Sequence, residues 1–350
     1  MPARNTAAPE LSDAREPARE TLAWSRALVD PALRAAVDTL PASMRRVAGY
    51  HLGWWDEHGG PTSAPPGKAL RPALVLLSAA AAGGSPRESV PAAVAVELVH
   101  NFSLLHDDVM DGDETRRHRP TAWRLFGIGA AILAGDALLT LALDVLATSG
   151  HPASGRGMRM LAAAVQDLVE GQSADMSFER RNTVELVECE GMAANKTAAL
   201  IGCACALGAL FGGADAARVQ RLRTFGEHLG LAFQHVDDLL GIWGDPSVTG
   251  KPVFSDLRSR KKSLPVVSAL ASDTAAGREL AALYRGAAPL AGDDLVRAAA
   301  LVEAAGGRAW SKATADDLLV RALHQLDTVD HGPAAAELVA LARLVTRRDH

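Results

Sequence analysis

Two pairs of adjacent aspartates, each following a long apolar stretch, are the residues of this sequence best suited to chemistry. The first pair is Asp107-Asp108, with Asp111 one helical turn after Asp107, and the second is Asp237-Asp238. Carboxylates beside an apolar helix are costly unless positive charge neutralises them, and magnesium prefers a few carboxylates together with phosphate oxygens. A single segment of this kind is more often a solvated helix end. Two of them facing one cavity would hold magnesium ions around a polyphosphate.

Basic and polar residues that could bind phosphate groups lie around both acidic segments. Lys68 and Arg71 open a helix after a Pro- and Gly-rich loop, and the N-terminus of a helix favours anions. Arg116 and Arg117 follow the first acidic segment closely and could clamp phosphate directly. Each such residue alone is more often a solvated surface group. The further candidates are Gln172, Lys196, Thr197, Gln234, Lys251 and Lys262.

The elements that position these residues should be helices. Hydrophobic residues form 48% of the 350-residue chain and aromatic residues only 4%, a composition that suits packed helices better than sheets. From Ala23 onward the pattern is helical between Gly- and Pro-containing breaks, without the alternation of strands and without an internal repeat. We therefore predict an all-α fold, a single bundle of about ten long helices around a central cavity, and no sheet.

One catalytic domain is expected over residues 23–350, after a disordered tail at residues 1–22 that is rich in Ala, Pro and charge. The tail is either an unselected extension or a docking segment. The net charge of −5 argues against nucleic acid as a partner. No apolar leader and no uncharged apolar run of membrane-spanning length is present. The three cysteines form no CxxC pair, so we expect a cytoplasmic protein that does not span a membrane.

Eight segments of the sequence together resemble one known family, the trans-isoprenyl diphosphate synthases. The segments, in that family's order between about residues 60 and 265, are GKALRP, ELVHNFSLLHDDVMDGDETRRHRPT, LAGDALL, EGQSADM, NKTAAL, FQHVDDLLGIWGD, GKPVFSDL and KKSLP. The resemblance implies the all-α fold, a homodimer and three magnesium ions per active site. It also implies a reaction in which an allylic diphosphate ionises and isopentenyl diphosphate attacks the carbocation. The departing diphosphate would then take the proton.

The resemblance also implies a role for each matching position. Asp107, Asp111 and Asp237 match the magnesium ligands, and Asp108 and Asp238 take supporting places in the catalytic set, which also includes Lys196. The isopentenyl diphosphate site would comprise Lys68, Arg71, His100 and Arg117. The allylic diphosphate site would comprise Arg116, Gln172, Lys196, Thr197, Gln234, Lys251 and Lys262.

Product length and two departures from the family pattern give further expectations. Phe102 and Ser103, five and four positions before Asp107, predict geranylgeranyl diphosphate (C20), with farnesyl diphosphate (C15) as the near alternative. Gly241 stands where the family usually has a third aspartate, so Asp237 should bind magnesium more weakly, and an aspartate introduced at 241 should lower the magnesium requirement. His118 replaces a usual glycine, a change expected to be minor.

Two other functions remain open from the sequence. A class I terpene cyclase also begins with an Asp-rich motif and ionises a diphosphate with magnesium, but it needs no second diphosphate site. A non-catalytic or cargo subunit of a prenyltransferase assembly is suggested by Gly241 and the N-terminal tail. Product analysis with isopentenyl diphosphate, an allylic primer and magnesium separates the three.

Overall fold

The computed structural model describes residues 15–62, 67, 69–246, 252–286, 290–327 and 332–346, and these are predominantly helical, as predicted. The helices are α1 (Arg15–Asp38), α2 (Ala42–His51), α3 (Leu70–Ala81), α4 (Val90–Met110), α5 (Ala122–Phe126), α6 (Ile128–Thr148), α7 (Ser154–Arg180), α8 (Leu186–Ala193), α9 (Ala199–Phe211), α10 (Ala216–Trp243), α11 (Ser255–Arg258), α12 (Leu264–Leu270), α13 (Ala275–Arg285), α14 (Asp293–Ala304), α15 (Gly307–Asp327) and α16 (Pro333–Thr346). A 3₁₀ turn (Pro86–Ser89) precedes α4, and a π-helical turn (Ala194–Ala198) joins α8 to α9.

Helix α9 lies at the centre of the bundle and packs on α3, α7 and α10. Every residue from Leu200 to Phe211 is buried, which an all-apolar and small-residue helix permits. Gly208 allows a close approach, because a Cβ at this position would overlap the carbonyl oxygen of Val75 in α3. On the outer side of this core, α4 packs on α6, and α10 packs on α15. The two helices that carry the acidic segments, α4 and α10, thus flank the central helices.

The prediction of no sheet is wrong in one small detail. Strands β1 (Thr115–Arg116) and β2 (Arg119–Pro120) pair antiparallel directly after the first acidic segment. The connecting residues, Arg117 and His118, both have positive φ angles of 51° and 62°, as a two-residue hairpin turn requires. Glycine adopts such angles readily and histidine less so. Histidine is nevertheless among the non-glycine residues found most often at such angles, so the change at position 118 is still expected to be minor.

The first helix begins at Arg15, so the predicted tail boundary at residue 22 is wrong. Ala18, Thr21 and Ser25 lie on one helical stripe and are buried. Thr21 Oγ1 donates a hydrogen bond of 3.0 Å to Glu337 Oε2 in the C-terminal helix α16. The buried side chains of this segment are small and lie among charged residues and prolines. The hydrophobic periodicity is therefore too weak to predict the start of the helix from the sequence. Residues 1–14 lie outside the described part of the chain.

Two helical stretches are long and apolar enough to cross a membrane by length and composition alone. Leu186–Phe211 is 78% buried, and Ile128–Ala147 is 39% buried. A core helix of a soluble protein passes the same test, so the first stretch needs no membrane to explain it. The second carries Asp136 and Asp144 on its exposed side. These two helices are weak evidence for a membrane protein.

Candidate active site

Exposure divides the aspartates of the two acidic segments into two kinds. Asp111 and Asp237 are exposed and Asp107 is half-buried, whereas Asp108 and Asp238 are buried, at 1% and 4% exposure. In each segment the first aspartate can therefore reach an ion, and the second is committed to the protein. This division parallels the predicted one between magnesium ligands and supporting residues.

Asp108 fixes the position of Arg116. Both Nε and Nη2 of Arg116 donate hydrogen bonds of 2.7 Å to Asp108 Oδ1. Burial alone would lower the pKa of Arg116, but its bond to Asp108 raises it above the ordinary value. A buried pair with two charge-assisted bonds holds the guanidinium in one orientation beside the first acidic segment.

Asp238 ties three elements together below the second acidic segment. Its Oδ1 accepts a 2.7 Å hydrogen bond from Gln234 Nε2, and its Oδ2 accepts a 2.8 Å bond from the backbone N–H of Leu264 in α12. Thr197 Oγ1 in turn donates to Gln234 Oε1 at 2.5 Å. Burial raises the pKa of Asp238 to about 7, with Lys261 opposing the shift. Gln234 and Thr197, predicted to bind the allylic diphosphate, thus bind protein groups in this structure.

Lys196 links the first acidic segment to α7. Its Nζ donates a 2.6 Å hydrogen bond to Asp175 Oδ2, and the π-helical turn directs it toward the site. Gly171 permits this approach, since a Cβ there would overlap the backbone of Lys196. Burial raises the pKa of Asp107 to about 6, and Lys196 opposes the shift. Lys196 therefore lies between carboxylates of α4 and α7.

Of the two adjacent lysines after α11, it is Lys261 that reaches the acidic site. Burial alone would lower its pKa, but the carboxylates around it raise the pKa above the ordinary value; in order of effect they are Asp175, Asp256, Asp238 and Asp111. Lys262 instead donates a 2.8 Å hydrogen bond from Nζ to the backbone oxygen of Phe178. Burial lowers the pKa of Lys262. The structure thus places the predicted Lys262 beside the end of α7, while its neighbour faces carboxylates of both acidic segments.

A second cluster, predicted to bind isopentenyl diphosphate, forms between α3 and α4. Arg71 Nη1 lies 3.2 Å from His100 Nε2, and because a guanidinium can only donate, His100 Nε2 accepts and Nδ1 carries the proton. Burial, with help from Arg71 and Arg117, lowers the pKa of His100 well below 6.5, so the ring is neutral. Burial lowers the pKa of Arg71 to about 10, and Glu97 opposes the shift.

Arg117 lies beside Gly67, at the loop that leads to α3. A Cβ on Gly67 would come within 2.6 Å of Arg117 Nη2. The two arginines of the hairpin, Arg116 and Arg117, also line a small pocket together with His51 and Arg119. The structure therefore brings Arg71, His100 and Arg117 to one region, as predicted. Lys68 and Lys251 lie outside the described residues.

Phe102 and Ser103 take different directions on α4. The ring of Phe102 is buried and packs edge-to-face against His106 with centroids 4.8 Å apart, and His106 Nε2 lies 3.0 Å from the carbonyl oxygen of Ile132 in α6. Ser103, one turn before Asp107, donates a 2.9 Å hydrogen bond to its own helix at His100 O. Ser103 thus lies below Asp107, and Phe102 is turned toward α6.

A side chain at position 241 would require the carboxyl group of Asp256 to move. A Cβ on Gly241 would overlap the Asp256 carboxyl group, with Cγ 2.5 Å and Oδ1 2.7 Å away. The expectation that an aspartate at 241 would lower the magnesium requirement did not take this contact into account. The sequence does not reveal that a residue fifteen positions later returns to this point.

Comparisons with known proteins identify the family of this chain. The family model of polyprenyl synthetases matches residues 56–302. The chain belongs to this family. A farnesyl diphosphate synthase and a geranylgeranyl diphosphate synthase of Mycobacterium tuberculosis are 48% and 47% identical to it, each over 93% of this chain and 92% of the relative.

Solved structures resemble this polyprenyl synthetase along nearly its whole length. A polyprenyl synthetase from Streptomyces coelicolor is 50% identical with a TM-score of 0.89, covering 93% of this chain and 98% of that one. A geranylgeranyl pyrophosphate synthase from Corynebacterium glutamicum, complexed with isoprenyl diphosphate and magnesium, is 28% identical with a TM-score of 0.77, covering 97% and 100%. The all-α isoprenoid synthase fold and the prenyltransferase class are thereby confirmed.

The polyprenyl synthetase has oxygen ligands that fit magnesium. Among the described residues, no three Asp, Glu, His or Cys side chains lie close enough to bind one ion by themselves. Magnesium is usually held by one or two carboxylates and completed by water and phosphate oxygens, so a site shared with a diphosphate suits Asp107, Asp111 and Asp237. Within the same described residues, neither Nε2 nor Oε1 of the buried Gln172 has a hydrogen-bond partner, so this amide has unused capacity to bind a polar ligand.

Three residues of the polyprenyl synthetase site were missed in the sequence. Asp175, Asp256 and Lys261 all lie within motifs that carry the family resemblance, EGQSADM, GKPVFSDL and KKSLP. A single acidic residue is usually a surface group, so the sequence alone does not indicate that Asp175 and Asp256 belong to the site. The choice between Lys261 and Lys262 depends on the direction of the backbone after α11, where Arg260 has a positive φ of 52°. Spacing alone does not determine that direction.

Proposed function

We propose that this polyprenyl synthetase condenses isopentenyl diphosphate with an allylic diphosphate between α4 and α10, and that its product is geranylgeranyl diphosphate. One observation supports the location most strongly: Lys261 interacts with Asp111 of the first acidic segment and with Asp238 of the second. Both segments thus lie within electrostatic range of one lysine, which supports a site between them. A diphosphate between them would meet cations from Lys196, Lys261 and Arg116.

Asp107, Asp111 and Asp237 would hold magnesium, three ions per site, which when bound neutralise the allylic diphosphate and make it a better leaving group. Lys196 and Lys261 supply fixed positive charge where the leaving diphosphate gains negative charge. The proposed allylic site also includes Arg116, Gln172 and, from the sequence, Lys251. We assign Lys261 the role predicted for Lys262, because Lys262 is bound to a backbone carbonyl. Gln234 and Thr197 position Asp238 and act on the substrate through it.

Isopentenyl diphosphate would bind at Arg71, His100 and Arg117, with Lys68 from the preceding loop. Neutral His100 accepts from Arg71 and orients that guanidinium toward a phosphate. The alkene then attacks the allylic cation, and the released diphosphate accepts the proton. No protein base is required, in accord with a site composed of clamping cations and carboxylates.

The C20 product is proposed from the residues below Asp107. The relatives do not separate the two product lengths, since the farnesyl and geranylgeranyl synthases are equally similar to this chain. Ser103 is small and lies one turn below Asp107, and Phe102 is turned aside toward His106. A growing prenyl tail would therefore meet Ser103 first, which leaves space for a chain longer than C15.

A homodimer is proposed from the exposed apolar side of α6. Ile128 and Leu133 are 58% and 57% exposed on this helix, and Leu125 just before it is 40% exposed. Burying such a surface against a second copy stabilises it without a membrane.

The proposed location is the cytoplasm, because Cys189, Cys203 and Cys205 are free and buried. No nucleic acid partner is proposed.

One assay tests the function. Purified protein is incubated with magnesium, isopentenyl diphosphate and dimethylallyl, geranyl or farnesyl diphosphate in turn, and the products are analysed. Geranylgeranyl diphosphate from each primer is the expected result. Farnesyl diphosphate as the end product would overturn the product length, and a cyclic hydrocarbon would indicate a terpene cyclase. No product from any primer would favour the non-catalytic subunit.

A further inference from the structure

The space above Gly241 in α10 is filled by a carboxylate from another segment. In the first acidic segment, Asp107 is followed one turn later by Asp111. In the second, Asp237 is followed one turn later by Gly241, which shares its helical face. The carboxyl group of Asp256 occupies the volume that a side chain at 241 would take, since a Cβ there would lie 2.5 Å from its Cγ. Both segments thus end with two carboxylates one turn apart in space.

The position of Asp256 is fixed by bonds between its segment and the end of α10. The backbone N–H of Phe254 donates a 3.2 Å hydrogen bond to Ile242 O, and Ser255 Oγ donates a 3.1 Å bond to Gly241 O. Phe254 adopts a left-handed conformation with φ of 63°, which turns the chain so that Asp256 faces α10. The absence of a side chain at 241 is what permits this contact.

Asp256 acts on the charges of the site from this position. It is among the carboxylates that surround Lys261. It also adds to the effect of burial on Asp238, the residue next to Asp237. A carboxylate near an ion-binding aspartate favours a divalent cation there, because each additional negative charge strengthens the attraction.

We propose that Asp256 supplies the second carboxylate of the ion site at Asp237, in place of a side chain at position 241. Asp256 is a positioning residue, which acts through the charge and orientation of Asp237. The proposal rests on the magnesium site assigned above to Asp237. The carboxylate can therefore come from position 241 or from position 256, but two carboxylates cannot occupy this volume at once.

The test uses this reciprocity in four variants of the full chain. Asp256→Ala removes the carboxylate. Gly241→Asp adds a second one into occupied space. The exchange Gly241→Asp/Asp256→Ala moves the carboxylate to the helix, and Gly241→Ala/Asp256→Ala is its control with the same Cβ and no charge. Exposed Asp316→Asn is a control for loss of one negative charge elsewhere. The measured quantity is the magnesium concentration for half-maximal rise in Tm at fixed inorganic diphosphate.

Asp256→Ala should raise this magnesium concentration about 10–100-fold, the usual effect of removing a residue that orients a metal ligand. Gly241→Asp should raise it as well and should lower the Tm without ligand, because two carboxylates then compete for one volume. The exchange variant should return toward wild type, whereas its uncharged control should resemble Asp256→Ala. Asp316→Asn should match wild type.

The proposal is overturned if Asp256→Ala keeps the wild-type magnesium dependence. It is equally overturned if the exchange variant is no better than its uncharged control. Asp237→Asn separates these results from failure of the magnesium site itself. If Asp237→Asn also leaves the magnesium dependence unchanged, the site assigned to Asp237 is wrong; if only Asp256→Ala is silent, that site stands and Asp256 has no part in it.

Discussion

Replacement of Lys261 by methionine tests the arrangement of the active site most directly, because Lys262 beside it is a matched control. Methionine keeps the length of the side chain and removes its charge. Lys261 lies among four carboxylates, whereas Lys262 binds one backbone oxygen. The two variants differ by one position in sequence and are expected to differ strongly in effect.

The loss of stability can be estimated from these contacts. Lys261 is partly exposed, and the carboxylates around it act through charge at longer range than a direct ion pair, so its loss should cost about 1 kcal/mol. With an unfolding entropy of about 2.1 cal/mol/K per residue, Tm should fall by only about 1 °C. Lys262→Met removes one hydrogen bond worth about 1 kcal/mol, or about 1 °C.

The effect on catalysis should be larger than the effect on stability. Lys261→Met should lower kcat/KM for the allylic substrate about 10²–10³-fold, the range for removal of one group that stabilises developing negative charge. Lys262→Met should remain close to wild type. Steady-state kinetics at saturating isopentenyl diphosphate and calorimetric Tm values measure the two effects. Equal losses of kcat/KM in both variants, or the greater loss in Lys262→Met, would refute the assignment of Lys261.

Four further predictions concern the remaining parts of the site. Asp107→Asn should lower turnover more than about 100-fold while leaving the helical circular dichroism signal intact, and full activity in excess EDTA would contradict a magnesium site. Arg71→Ala should raise KM for isopentenyl diphosphate about tenfold or more, and Lys196→Ala should act mainly on the allylic substrate; equal effects on both would argue against two pockets. Ser103→Phe should shorten the product in chromatographic analysis, because the ring would fill the space one turn below Asp107, whereas Phe102→Ala should leave the product unchanged; a longer product from Phe102→Ala would show that this ring limits chain length. Folding lowers the pKa of His100, so the unfolded state binds more protons, and stability is retained above pH 6.5 but lost below it by up to about 1.4 kcal/mol per pH unit. His100→Gln should reduce this loss of stability, measured by urea unfolding at pH 7.5 and 5.5. An unchanged dependence of stability on pH would contradict a buried neutral ring.

Helical periodicity was sufficient to predict the fold, because long apolar runs between glycines and prolines have few alternatives. Helical periodicity did not predict two elements, the short hairpin and the start of α1. The hairpin around Arg117 and His118 is too short to show alternation, and α1 begins among charged residues and prolines where small side chains form the buried stripe. These elements are determined by tertiary contacts, which local pattern does not contain.

The acidic segments and the cations of the site were predictable because their spacing already places them on shared helical faces. The direction of side chains beyond those helices was not. Lys261 and Asp256 reach the site through backbone turns at Arg260 and Phe254. Both residues have positive φ angles, which the amino-acid types at these positions do not predict. The hydrogen bonds of Gln234 to Thr197 and Asp238 likewise depend on how the helices pack together, which the sequence does not show.

The π-helical turn between α8 and α9 has a consequence for which changes in chain length the protein can tolerate. One extra residue in a helical turn rotates everything that follows by about 100°. Lys196 lies in this turn and meets Asp175, and twelve residues later Gly208 sits against the Val75 backbone. Both contacts depend on the same rotation. Substitutions between these two positions can be accommodated one at a time, but a single insertion or deletion would break either the catalytic contact or the packing contact. In homologues this stretch should therefore vary in composition and not in length.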